Sequence, residues 1–140
     1  MIIAVDFDGT IVEHKYPEIG REIPFATKTL KMLIEQRHIL LLWTVRRGEL
    51  LQQAVDWCKE RGVEFYAVNK NYPEEKVDNE GGYCKLNAEI FIDDRNLGGI
   101  PDWGKIYQMI TENKTWDDIY HGSEKEGKEI TKKKKKFIFW

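Results

Sequence analysis

The sequence predicts an α/β fold built on a central parallel sheet, and three observations carry that prediction. Short apolar runs of strand length recur at Ile2–Val5, Ile39–Trp43 and Ile90–Ile92, with the continuous hydrophobicity of strands buried on both faces. Between the first two lies a stretch whose apolar residues fall at helical spacing. The first and last of these runs also end in carboxylates, Asp6 and Asp8 in one case and Asp93 and Asp94 in the other. Carboxylates are costly at the end of a buried strand unless something pairs with them. In an open α/β sheet the crevice beyond the carboxyl ends of the strands is where ligands bind.

The first strand, Ile2 to Val5, runs into Asp6-Phe7-Asp8-Gly9-Thr10. Side chains at i and i+2 of a strand share a face, so Asp6 and Asp8 can address one point. Gly9 permits a sharp turn there, and Asp-Gly is also a common turn pair without any ligand. Residues 11–24 contain Pro17, Gly20 and Pro24, which predicts an exposed loop or short hairpin. Its candidate contacts are His14, Lys15, Tyr16 and Arg21, each equally readable as a solvated loop residue. From Phe25 to Gln36, Leu30, Leu33 and Ile34 mark one helical face, with Pro24 near the start.

Ile39 to Trp43 is too short for a buried helix and suits a central parallel strand. It ends at Thr44, whose hydroxyl suits either a phosphate oxygen or a cap for the next element of the chain. A helix from about Glu49 to Arg61 carries Leu50, Leu51, Ala54, Val55 and Cys58 as its apolar stripe, and Gly62 ends it. Arg46 and Arg47 stand just before it. Arg46 is the candidate substrate contact, since guanidinium matches phosphate geometry, and Arg47 reads as solvated. Glu64 to Val68 predicts a third strand. The punctuated stretch 69–84 predicts a long irregular segment on the rim of the site. Ile90 to Ile92 is the fourth strand. Trp103 to Glu112 is helical in pattern, and Trp116, Ile119 and Tyr120 suggest one more amphipathic turn.

The 140 residues suffice for one domain with a real core. The expected division is a folded domain over 1–121 and a lysine-rich tail over 122–140. The net charge of −2 supplies no global field toward nucleic acid or membrane. Lys132 to Lys136 form an unbroken basic run, either a solvated tail or a contact for a polyanion such as RNA, DNA or anionic lipid. Phe137-Ile138-Phe139-Trp140 suits docking on a neighbouring subunit or addition to a sheet edge. Two cysteines, Cys58 and Cys84, are too few for a disulfide scaffold and have no zinc spacing. Cys58 reads as a small core hydrophobe. Reduced thiols, the absence of a transmembrane-length apolar run and a first strand beginning at once after Met1 lead to the expectation of a cytoplasmic protein without membrane insertion.

The order of motifs goes further. Asp6-Phe7-Asp8-Gly9-Thr10 resembles the first motif of the haloacid-dehalogenase-like (HAD) phosphohydrolase superfamily. Thr44 at the second strand end resembles the second motif, and Lys85 followed by Asp93-Asp94 resembles the third and fourth. The resemblance covers most of Met1 to Pro101. It implies a three-layer Rossmann-like fold with helices on both sheet faces, and a Mg²⁺-dependent phosphomonoesterase acting through an aspartyl-phosphate. Asp6 would be the nucleophile, and Asp8 the acid toward the leaving group and then the base toward water. Thr44 and Lys85 would hold the phosphoryl oxygens. Asp6, the backbone carbonyl of Asp8, and Asp93 would bind the metal, with Asp94 close by; the split between Asp93 and Asp94 stays open. Asp8 favours a phosphatase over a dehalogenase, which needs no acid at that place. Neither gap between motifs holds a lid domain, so the resemblance is to capless or minimal-cap members. An open site implies a large substrate or closure by another subunit.

The expected substrate is therefore a phosphorylated small molecule or a phosphorylated polynucleotide end. Two other classes compete: a non-enzymatic phosphate-sensing module resembling a receiver domain, and a polyanion-binding protein working through its tail. Receivers carry their phosphorylated aspartate after a later strand, whereas here the first strand bears the motif.

Overall fold

The structure is a computed structural model and describes residues 1–76 and 85–121. Four strands, β1 (Ile2–Val5), β2 (Ile39–Leu42), β3 (Ala67–Val68) and β4 (Ile90–Ile92), form one sheet in the order β3-β2-β1-β4. Every pairing is parallel, with Ala4 beside Leu41 and Phe91, and Leu41 beside Ala67. Helix α1 (Ala26–Glu35) connects β1 to β2, and α2 (Gly48–Glu60) connects β2 to β3. The α/β class and the parallel sheet read from the sequence are present.

Apolar burial explains the strands. Ile3, Val5, Leu41 and Leu42 have no exposed surface, and Ala4 and Leu40 almost none. One sheet face is a cluster of Ala4, Leu41, Ala67 and Leu86, edged by Ile2, Trp43, Ala88 and Phe91. Leu86 and Ala88, from the stretch just before β4, therefore cover this face. The third strand is shorter than expected. Tyr66 donates its N–H to Leu40 O at 2.8 Å, yet the ladder proper begins at Ala67, and the Tyr66 side chain is half exposed. The aromatic and β-branched composition of 64–68 is not matched by a second buried face.

Helix α1 starts at Phe25, whose φ of 68° lies in the left-handed region. The Glu22 carboxylate supplies the missing cap by accepting from Thr27 N at 2.9 Å and from the Thr27 hydroxyl. In α2, Ala54 and Cys58 are buried, and burial pushes the Cys58 thiol up to about 12, in keeping with a core hydrophobe rather than a reactive thiol.

The chain divides into two compact units, Met1–Trp103 and Gly104–Trp140. Trp103 is almost wholly buried and donates its indole N–H to Thr10 O at 3.0 Å, which ties the end of the first unit to the turn after β1. Helix α3 (Trp103–Thr111) leads into the second unit. There, residues 116–121 form a helical turn, opened by reciprocal bonds between Thr115 and Asp118: Thr115 N to Asp118 Oδ2 at 2.8 Å and Asp118 N to Thr115 Oγ1 at 3.3 Å. Cys84, the lysine run 132–136 and the apolar end 137–140 lie outside the described residues, as do residues 77–84 of the irregular segment. Among the described residues no helix is long and apolar enough to cross a membrane.

Leu41 sits at the centre of the buried strands, so Leu41→Ala is expected to cost about 2–5 kcal/mol in urea unfolding. Ile39→Ala, at a partly exposed position of the same strand, should cost less than about 1 kcal/mol by the same measurement.

Candidate metal centre and cleft at the strand tips

The sheet order determines where the site lies. From β1 the chain moves outward to β2 and β3, then returns to place β4 on the other side of β1. That reversal opens a crevice at the carboxyl end of β1. The backbone ladder continues past the strands: Asp6 N donates to Ile92 O at 2.9 Å, Trp43 N to Val5 O at 2.8 Å, and Asn69 N to Leu42 O at 2.7 Å. The tips carrying Asp6, Thr44 and Asp93–Asp94 are thus held side by side.

Asp6, Asp93 and Asp94 each bring a carboxylate oxygen within 4.8 Å of the other two. Burial, then the Asp93 charge and the hydrogen bond with Asp94, raise Asp6 from 3.8 to about 7, against weaker lowering by the Thr10 hydroxyl and the Phe7 N–H. Such crowding of hard oxygen donors suits a hard divalent cation. The group therefore fits the metal that the resemblance implied, and both members of the Asp93–Asp94 pair belong to it. The Asp8 carboxylate does not.

The turn after β1 organises this group. Phe7 O accepts from Thr10, Ile11 and Val12 N at 3.2, 2.9 and 3.3 Å. Gly9 has φ +85°, and a Cβ there would stand 2.3 Å from Asp94 Oδ2, so glycine is required both by conformation and by the approach of the carboxylate. The Thr10 hydroxyl accepts from Asp94 N at 3.1 Å and donates to Asp6 Oδ2 at 3.0 Å, with Asp94 Oδ1 at 3.3 Å as the alternative acceptor. Thr10 thereby joins the two strand tips. Sequence reasoning missed this role, because it depends on a neighbour 84 residues away.

Thr44 is buried at the end of β2. Its Oγ1 accepts from Arg46 N at 3.1 Å, which leaves the hydroxyl proton free to donate elsewhere. Asn69, with φ 53°, clamps the Thr44 backbone: its Oδ1 accepts from Thr44 N at 2.8 Å and its Nδ2 donates to Thr44 O at 3.0 Å. From the sequence Asn69 is only part of an irregular segment, although asparagine's tolerance of this backbone region is a usable signal.

Arg46 corrects an expectation. The sequence makes it the candidate substrate contact, but it has no exposed surface. Its Nε and Nη2 grip Asp8 Oδ2 and Oδ1, both at 2.7 Å. Nη2 also donates to Glu18 O at 2.9 Å, and Nη1 to Pro17 O at 3.1 Å and Leu50 O at 3.5 Å. A guanidinium has five N–H donors, and these contacts occupy all of them, so none remains for a phosphate.

Lys85, the expected phosphoryl contact, has a different setting from Thr44. It is exposed, because Leu86 beside it takes the place in the core, and it is not among the residues lining the cleft. That cleft has a volume of about 630 Å³ and is lined by Asp6, Asp8, Thr44 and Asp93 together with His14, Tyr16, Trp43, Val45 and Arg95. Arg95, not singled out from the sequence, is the guanidinium on this lining, and its N–H caps Asp93 Oδ1 at 2.9 Å. Of the candidates on the loop over 11–24, a flap beside the cleft, His14 and Tyr16 line the cleft, whereas Arg21 lies at the surface, paired with Glu13 at 3.3 Å. Of the two forms expected, loop or short hairpin, the flap takes the second: Glu13 N donates to Arg21 O at 2.7 Å and Ile23 N to Ile11 O at 2.9 Å.

Fold and site together define an α/β protein with an acidic cleft at the tips of a parallel sheet. No protein-family model matches the chain, and neither does any curated protein. Among solved structures the chain is similar to a conserved protein from Bacteroides thetaiotaomicron, with 65% identity, a TM-score of 0.80, and coverage of 86% of this chain and 97% of the other. It belongs to the family of that conserved protein.

The raised Asp6 gives a pH prediction for the metal-free protein. A carboxyl raised in the folded state contributes stability that is fully present below its unfolded value and is lost as pH rises through the folded one. In chelator, the wild type should therefore lose melting temperature relative to Asp6→Asn as pH rises from about 4 to about 7. Circular dichroism melts across that range test it; parallel curves for the two proteins would contradict it.

Proposed function

We propose that the protein is a metal-dependent phosphomonoester hydrolase whose nucleophile is Asp6. The observation that carries this reading is the meeting of Asp6, Asp93 and Asp94 at one point, beside a cleft that also presents Asp8 and Thr44. Mg²⁺ is the proposed cofactor, held by Asp6, Asp93 and Asp94. When bound, it would offset the crowded negative charge and polarise a phosphoryl oxygen.

The residues divide the work. An Asp6 oxygen attacks phosphorus and the ester P–O bond breaks, leaving an aspartyl-phosphate. Asp8 gives a proton to the departing oxygen. It then takes one from the water that attacks the phosphorus, which releases inorganic phosphate and restores Asp6. Thr44 donates its hydroxyl proton to a phosphoryl oxygen. Arg95 is the cation on the cleft lining that would face the transferring group; Lys85, assigned this task by resemblance, stands outside the lining.

Charge accounting supports this division. While Asp8 is unprotonated, Arg46 balances it through the buried pair, and in that state Asp6, Asp93 and Asp94 remain to be balanced. A divalent ion reduces that group to a single negative charge, which a neighbouring guanidinium can offset as a phosphate enters. Substrates are phosphorylated small molecules or nucleic-acid ends, and the protein acts in the cytoplasm.

A screen of phosphate esters with Mg²⁺, run beside Asp6→Asn, tests the reading. Turnover should fall by at least on the order of 10³-fold in the variant, while its chelator melting temperature stays at or above that of the wild type, since one of three crowded carboxylates is removed. Wild-type turnover by Asp6→Asn would remove Asp6 from the chemistry.

A further inference from the structure

Arg46 is the largest charged side chain buried among the described residues, and the proposed chemistry gives it no contact with substrate. Its surroundings are drawn from three separate parts of the chain: the Asp8 carboxylate, the flap carbonyls of Pro17 and Glu18, and Leu50 O in the first turn of α2. Two rings enclose it, Phe7 and Tyr16, each with its centroid 5.2 Å from the guanidinium carbon. Tyr16 nonetheless remains 47% exposed and lines the cleft. Arg46 thus connects the group that handles protons to the flap that faces the substrate.

We propose that Arg46 is a positioning residue that holds the Asp8 carboxyl and the Tyr16–Glu18 stretch of the flap in one register relative to Asp6. The proposal rests on the phosphatase reading. A carboxylate offers about four lone-pair sites, and a bidentate guanidinium takes one on each oxygen. The remaining pair on each oxygen stays available to hold or accept a proton, while rotation of the carboxyl is stopped. The planar fork does this where a point charge could not. The same cation donates to the flap carbonyls, so displacement of Tyr16 and displacement of Asp8 are coupled through one rigid group.

Leaving-group dependence separates positioning of the acid from general support of the fold. A simple alkyl phosphate needs a proton on its departing oxygen; 2,4-dinitrophenyl phosphate releases a stable phenolate without one. Both esters are assayed with Mg²⁺ for the wild type, Arg46→Gln and Arg46→Lys. In both variants the ratio of alkyl to dinitrophenyl kcat/KM, which reports the step that expels the alcohol and not the later hydrolysis common to both esters, should fall roughly 100-fold, the scale of general-acid assistance. An equal fall on both esters, an unchanged ratio, or recovery of the wild-type ratio by lysine would overturn the proposal. A wild type that hydrolyses neither ester would overturn the phosphatase reading, and this inference with it. Should neither variant fold, exchange of the Arg46 Nε–H in the wild-type protein is monitored by ¹⁵N NMR. Slow exchange that becomes fast in Asp8→Asn supports the lock, and fast exchange in the wild type overturns it.

Discussion

Electrostatic crowding at the tip of β1 is the constraint on which the rest of this structure depends. Four carboxylates, Asp6, Asp8, Asp93 and Asp94, are brought to one end of a sheet whose interior is almost entirely aliphatic. Like charges in a partly buried setting repel, and the protein deals with the four in two different ways. Asp8 receives a permanent internal counter-ion in Arg46, buried and bidentate. Asp6, Asp93 and Asp94 are bonded instead to the Thr10 hydroxyl and a few backbone N–H groups, with no ion pair to them among the described residues. Burial and the neighbouring Asp93 charge push Asp6 up to about 7. A pair closed in on itself is suited to a fixed position, and an unbalanced group is suited to an exchangeable cation.

That arrangement comes from topology more than from any single residue. A strand order of β3-β2-β1-β4 requires two connections to leave β1's end of the sheet in opposite directions, and the crevice between them is where the acidic tips project. The ladder bonds that continue from Asp6 N to Ile92 O and from Trp43 N to Val5 O fix the depth of each tip. Gly9, at φ +85°, is the place where the turn passes so close to Asp94 that a methyl group would force its carboxylate to shift. The site is therefore determined by strand register and by one glycine, with side chains chosen to suit.

The strands and helices are legible in the sequence because they are periodic. Ile2–Val5 and Ile90–Ile92 have the bounds that their apolar runs suggest, and α1 and α2 match their hydrophobic faces to within a residue or two. The acidic residues are legible because charge at the end of an apolar strand is conspicuous. Direction and pairing are not. Nothing in Val45-Arg46-Arg47 says that the first arginine turns inward to meet Asp8, 38 residues earlier, while Val45 lies largely exposed. Thr10, Asn69 and Arg95 take their parts from neighbours that only the folded chain supplies. The setting of Lys85 is likewise not legible: its position ahead of β4 is linear information, whereas its exposure goes with the burial of Leu86 beside it.

The two arginines near the cleft show why residue type alone is a poor guide to function. Arg46 and Arg95 carry the same group with the same affinity for phosphate. Arg46 has spent every donor on protein acceptors, and burying it is tolerable only because those acceptors are complete. Arg95 has its backbone committed to Asp93 and its side chain exposed at the cleft. An entering anion would meet the second and not the first. Satisfaction of donors, rather than proximity to the acidic group, decides which cation is available to a ligand, and it makes Arg46 part of the frame that any chemistry in this cleft would depend on.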